Sequence, residues 1–169
     1  MKSKLMPSIV LGSICIIVAL LMAAVNMITA PIIAASQAAK VQETLGTVLP
    51  EGKNFVSIST DGLPETVTSA YTEDGGGYVF QMEVIGYKSG LIIMCGVSAD
   101  GKITGAEVID SNETMSAEYG LGEKYIGKDI TNAKVEIVSS STLTSQAYFD
   151  AIAAALQSYK IITEKEDAQ

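Results

Sequence analysis

Leu91-Ile92-Ile93-Met94-Cys95-Gly96-Val97-Ser98-Ala99-Asp100-Gly101-Lys102-Ile103-Thr104-Gly105-Ala106-Glu107-Val108-Ile109 is an apolar run of strand length, an Asp-Gly turn and a second run with Ala106 and Val108 on one face. Asp-Gly between two such runs predicts a β-hairpin, because the glycine takes the positive φ that a tight turn demands. Upstream, Tyr78, Phe80, Met82 and Val84 alternate with Gln81 and Glu83, the pattern of a half-buried strand. Cys95 and Met94 are expected to pack in this sheet, since an unpaired buried Cys behaves as a small hydrophobe.

Helices flank these strands. Ala38, Val41, Leu45, Val48 and Leu49 share one face of a helix that Pro50-Glu51-Gly52 ends. Ala147, Tyr148, Ala151, Ile152, Ala155, Leu156 and Tyr159 recur with helical spacing near the C-terminus. A helix, a hairpin, a long polar loop, short segments and a final helix predict an α+β domain with a mainly antiparallel sheet, not a βαβ repeat. The acidic stretch from Glu164 to Gln169 is expected to be a frayed, solvated end.

Before this domain, no charged residue occurs from Leu5 to Ala39, and Ser8 to Ile33 is almost wholly apolar. At ~1.5 Å per residue that stretch spans roughly 39 Å, enough to cross a hydrocarbon core of ~30 Å with some tilt. Ile33-Ala34-Ala35-Ser36 could pass for a signal-peptide cleavage site, but such a peptide has an apolar core of only about 7–15 residues. We read a retained anchor, with residues 1–35 as cytoplasmic start and transmembrane helix and 36–169 as one extracytoplasmic domain. Lys2 and Lys4 precede the anchor and the next cation is Lys40, which places the N-terminus in the cytoplasm.

Charge and composition exclude several functions. All nineteen acidic residues and nine of the eleven cations follow the anchor, giving 9 − 19 = −10, and there is no arginine. A surface that tracks nucleic-acid phosphates needs clustered Lys and Arg, so no nucleic-acid partner is expected. Without histidine, the Ser-His-Asp and Cys-His nucleophile systems are impossible. Cys15 and Cys95 form neither a disulfide framework nor a Cys-x-x-Cys metal site, so redox chemistry here would belong to a bound cofactor.

Two stretches carry the candidate site. Glu136-Ile137-Val138-Ser139-Ser140-Ser141-Thr142-Leu143-Thr144-Ser145 puts hydroxyls at the start of the last helix, where N–H groups are free and the dipole is positive. Ser and Thr serve there as N-caps, and the same end holds a phosphate; the residues alone admit both. Asp110 to Gly122 is a long polar connection ending in Gly120-Leu121-Gly122, whose glycines either let backbone approach a flat ligand or make a structural turn. Tyr119 can stack on such a ligand or pack on the surface, and surface packing is the preferred reading.

On these residues the chain resembles the RnfG family, the FMN-binding components of Rnf-type membrane redox complexes, and more distantly the FMN-binding component of the sodium-pumping quinone reductase. Ala24-Val25-Asn26-Met27-Ile28-Thr29-Ala30-Pro31 is similar to the end of that family's anchor, and Gly86-Tyr87 with the strand from Leu91 and Asp100-Gly101-Lys102-Ile103-Thr104-Gly105 to its central hairpin. Asn112-Glu113-Thr114 and Gly120-Leu121-Gly122 resemble the family's Glu-Thr-Pro-Gly-Leu-Gly loop, with Met115 to Tyr119 replacing the proline. The family attachment motif runs Asp-x-x-Ser/Thr-Gly-Ala-Thr. Here Glu136 stands for the Asp, Ser139 for the Ser/Thr, Ser140 for the Gly, Ser141 for the Ala and Thr142 for the attachment residue.

The resemblance implies FMN joined through its phosphate to Thr142 by a separate flavin transferase, with Ser139, Ser140, Ser141, Leu143 and Thr144 around the phosphate. It implies Glu113, Thr114, Gly120, Leu121 and Gly122 beside the ring. It also implies an electron-carrier subunit of a ferredoxin:NAD oxidoreductase that moves ions, with other membrane subunits and lipid as partners. Ser140 for Gly is the departure with most consequence, because a Cβ restricts the backbone. A membrane-tethered structural subunit without flavin, or a flavinylated carrier for extracellular electron transfer, are the alternatives.

Overall fold

The computed structural model describes the backbone of residues 2–113 and 118–166, and their side chains except those of residues 2–9 and 34. Helix α1 runs Lys2–Val48 and is followed by β1 Val56–Ile58, β2 Val67–Thr72, β3 Tyr78–Val84, β4 Leu91–Val97, β5 Ile103–Asp110, a 3₁₀ turn Gly122–Tyr125 and α2 Thr142–Glu166. Two compact units result, residues 1–40 and 41–169. The first is helical, and from Val10 onward α1 is long and apolar enough to cross a membrane.

In the second unit the five strands form one antiparallel sheet in the order β1-β2-β3-β4-β5, each strand paired with its chain neighbour. The expected hairpin is β4–β5, with Cys95 opposite Ala106 and Gly101 at φ 77° in its turn. The longest register is β3 on β4, from Tyr78 opposite Val97 to Val84 opposite Leu91.

Both faces of the sheet centre are covered. Phe80, Met82, Leu91, Ile93, Cys95 and Val97 pack with Ala147, Tyr148, Ala151, Ile152, Ala155 and Leu156 of α2. On the opposite face Val79 and Met94 pack with Leu45, Val48 and Leu49. Double coverage explains why β4 reads as an unbroken apolar run. It also corrects the half-buried reading of β3: Val79 is fully buried on the face that alternation would leave to solvent.

The end of α1 lies directly on strand backbone. A Cβ at Gly96 would stand 2.3 Å from the Val48 carbonyl oxygen, and one at its cross-strand partner Gly105 would stand 2.9 Å from Val48 Cα. Thr104 Oγ1 donates to the Val48 carbonyl, satisfying one of the acceptors that a helix end leaves open. At the other terminus, α2 continues as helix to Glu166, and the Tyr78 hydroxyl donates to Glu166 Oε1 at 2.9 Å. This tie to the sheet corrects the frayed-end expectation for residues 164–166.

Candidate functional site

The start of α2 is shaped by a four-residue turn. Ser141 N–H donates to the Val138 carbonyl at 3.0 Å, and Ser140, the third residue of the turn, has φ 68°. A hydrogen-bonded turn with positive φ at its third residue is type II, which favours glycine there. Ser140 therefore adopts a backbone that glycine takes at lower cost. The side chain is exposed, so the hydroxymethyl group meets no packing obstacle.

Ser145 sets the turn from inside. Its side chain is fully buried; Oγ accepts from Val138 N–H at 3.1 Å and donates to the Ser141 carbonyl at 2.8 Å. Ser145 N–H closes the first helical bond onto that same carbonyl at 2.9 Å. The N–H groups of Thr142, Leu143 and Thr144 therefore precede the helical ladder and stand at the positive end of the dipole. Thr142 is exposed and Ser141 is 7% exposed.

These residues border a cavity of about 430 Å³ lined by Tyr87, Glu113, Ser140, Ser141, Thr142, Leu143 and Thr144. Its size lies within the roughly 300–1,000 Å³ of small-molecule and cofactor sites. Glu113 ties its walls together. One carboxylate oxygen accepts from Thr144 Oγ1 at 2.7 Å and Tyr87 N–H at 3.3 Å, and the other accepts from Lys88 N–H at 3.0 Å. Ser111 extends the network by accepting from Glu113 N–H at 3.1 Å and donating to Glu118 at 2.6 Å.

The segment before the turn has its own anchor. Lys128 Nζ lies 2.9 Å from Glu136 Oε1 and 5.1 Å from the centre of the buried Tyr125 ring, whose hydroxyl accepts from Glu136 N–H at 3.2 Å. The Lys128 ammonium holds the Glu136 carboxyl below its ordinary value. Glu136 thus fixes the approach to the turn and is no cavity residue.

Of the residues singled out from sequence, Glu113, Ser140, Ser141, Thr142, Leu143 and Thr144 come together around the cavity. Ser139 is the exposed second residue of the type II turn. Thr144 differs from its expected role as a phosphate donor: it is 2% exposed, and its hydroxyl proton goes to Glu113.

The glycine loop differs as well. Leu121 is 2% exposed in the core cluster, and a Cβ on Gly122 would stand 1.8 Å from the Ala106 carbonyl oxygen, so these two pack the loop onto β5 and do not line the cavity. Gly120 is exposed, with φ 89° and open space around it, which fits a turn. Thr114 and Met115–Ala117 lie outside the described residues. Tyr119 is 57% exposed and away from the cavity lining.

Sequence reasoning missed Tyr87 and Ser145 as parts of the site. The turn glycine beside the first and the helical position of the second were visible, but the Tyr87 contact reaches Glu113 across 26 residues, and the Ser145 bonds, 7 and 4 residues back, exist only once the turn is folded. Cys95 is fully buried and its thiol is pushed up to about 12 by burial, so at neutral pH it is an inert packing group.

Residues 86–157 match the FMN-binding domain family, which covers the cavity, Glu113 and the α2 start. Residues 2–48 match the RnfG N-terminal region, which is the whole of α1. The chain belongs to the RnfG-like FMN-binding proteins. It is 32% identical over 138 residues to the G component of the ion-translocating oxidoreductase complex from one strain of Cereibacter sphaeroides, and 31% identical to that of a second strain. In each alignment 76% of this chain is covered, and the chain spans 61% of the relative's length.

The site fits the phosphate end of FMN on its own geometry. Residues with free helix N–H groups, the exposed Thr142 and Tyr87 together line a cofactor-sized cavity. No cation is needed, because neutral N–H donors at a helix start satisfy phosphate oxygens.

Proposed function

We propose that this chain is the membrane-anchored electron-carrier subunit of an Rnf-type ion-translocating ferredoxin:NAD oxidoreductase, carrying FMN as a phosphoester on Thr142. In this reading residues 1–35 are the cytoplasmic start and membrane anchor, and 36–169 the extracytoplasmic FMN-binding domain. The observation that carries it is the type II turn at Ser140, which delivers an exposed Thr142 hydroxyl to a helix N-terminus on the cavity rim. Bound FMN would supply the electron-transfer chemistry.

The chain's own residues would bind and orient. Thr142 Oγ1 would carry the phosphate as an ester, the product equal in mass to FMN less one water, and the free N–H groups of Thr142 to Thr144 would hold the remaining phosphate oxygens. Ser141, nearly buried at the cavity, adds a hydroxyl. Glu113 fixes the distance between the Tyr87 turn and α2 by bonding to both. A flavin transferase attaches the group, and other membrane subunits exchange electrons with it.

The flavin-free structural reading draws on the Ser140 departure, and the left-handed backbone of Ser140 weakens it. Mass spectrometry of the intact chain, co-expressed with its transferase, tests the proposal. Wild type gains FMN less one water, and Thr142→Val, which keeps the branched shape without the oxygen, gains nothing while remaining folded. Persistence of the gain in that variant would move the attachment elsewhere, and its absence from wild type would favour the flavin-free reading.

A further inference from the structure

Tyr87 has a held backbone and a free ring. It lies in the turn between β3 and β4, its side chain is 66% exposed, and among the described residues its ring pairs with no other aromatic. The backbone beneath it is tied down by the Gly86 N–H bond to the Lys88 carbonyl at 3.1 Å, and by the N–H groups of Tyr87 and Lys88, which both donate to Glu113. A Cβ on Gly86 would stand 2.5 Å from Glu113 Oε1 and 3.4 Å from Thr144 Cα, so this turn rests directly on the first turn of α2.

These bonds position a ring that contributes no packing to the core. Tyr87 lines the same cavity as Thr142 and the exposed Leu143. What gains from an unpartnered aromatic side chain on a fixed backbone beside an attachment hydroxyl is a flat aromatic ligand, which stacks on it in offset or edge contact. Tyr119, the other exposed tyrosine of the neighbouring loop, lacks this placement.

We infer that Tyr87 supplies the aromatic contact for the flavin ring and orients it relative to the Thr142 tether, an assignment that rests on the FMN reading above. A phenol touching a flavin quenches its fluorescence, because the excited ring takes an electron from the phenol and returns it, with no net change. Phenylalanine keeps the stacking face but cannot donate that electron. The test uses the full chain loaded by co-expression with its transferase, with fluorescence lifetime and yield measured at matched flavin absorbance.

The expected result is a weakly fluorescent wild type and a Tyr87→Phe variant several-fold brighter with the same FMN mass gain. Tyr119→Phe should match wild type, and all three should become equally bright on denaturation. Tyr87→Phe no brighter than the folded wild type, or Tyr119→Phe brightening in its place, overturns the assignment while the mass gain keeps the FMN reading intact. A wild type without the mass gain overturns the FMN reading, and this inference with it.

Discussion

A left-handed serine is the residue on which the site turns. Non-glycine residues at positive φ carry a steric cost of roughly 1–2 kcal/mol, and they persist where surrounding bonds over-determine them. Here the bonds are those of Val138, Ser141 and Ser145 to one another, which hold the turn against the cost a serine incurs there. Ser140→Gly should relieve the cost but also loosen the unfolded chain, leaving a gain of up to ~1 kcal/mol in denaturant unfolding. Ser140→Val, branched at the left-handed position, should lose about 1–3 kcal/mol and slow FMN loading at Thr142. Equal loading of Ser140→Val and wild type at the same transferase level would mean that the turn does not present the hydroxyl.

The turn is only as well placed as the elements that flank it, and one of these bears a pH-sensitive clamp. Lys128 holds Glu136 below its ordinary carboxyl value of 4.5, so the clamp's contribution is fully present above that pH and is lost as the pH falls through the lower folded value. Glu136→Gln should therefore be less stable than wild type near pH 7, with the difference in denaturant midpoint shrinking as the pH falls below 4.5. A difference that is constant with pH would assign the effect to packing. The main elements were legible in the sequence for physical reasons: the β4–β5 hairpin from Asp100-Gly101, and α2 from the spacing of Ala147 to Tyr159. β1 and β2 were not, because they are three and six residues long and carry mixed burial. The attachment residues were legible because they are contiguous, whereas the Glu113 clasp joins positions 25 and 31 residues away in the chain, which periodicity cannot reveal. Leu121 failed for the converse reason: a leucine between glycines has the same sequence whether it faces a ligand or fills a core.

For the whole molecule the deciding quantity is the distribution of charge about the apolar helix. Two lysines precede it, and a region of formal charge −10 follows. The orientation proposed above rests on this asymmetry: cationic flanks are retained on the cytoplasmic side and acidic residues weigh little in that choice, so in that reading Lys2 and Lys4 hold the N-terminus inside and the acidic domain lies across the membrane. In intact cells with the outer permeability barrier opened, added protease should cut after Lys40 and release fragments of the domain, while a cytoplasmic marker stays whole. Placing two lysines just after the anchor, at Gln37 and Ala38, and replacing Lys2 and Lys4 by Gln should reduce that cleavage by shifting chains to the opposite orientation. Full protection of the unaltered chain, with an outer-face control protein digested, would put the domain in the cytoplasm and overturn the topology.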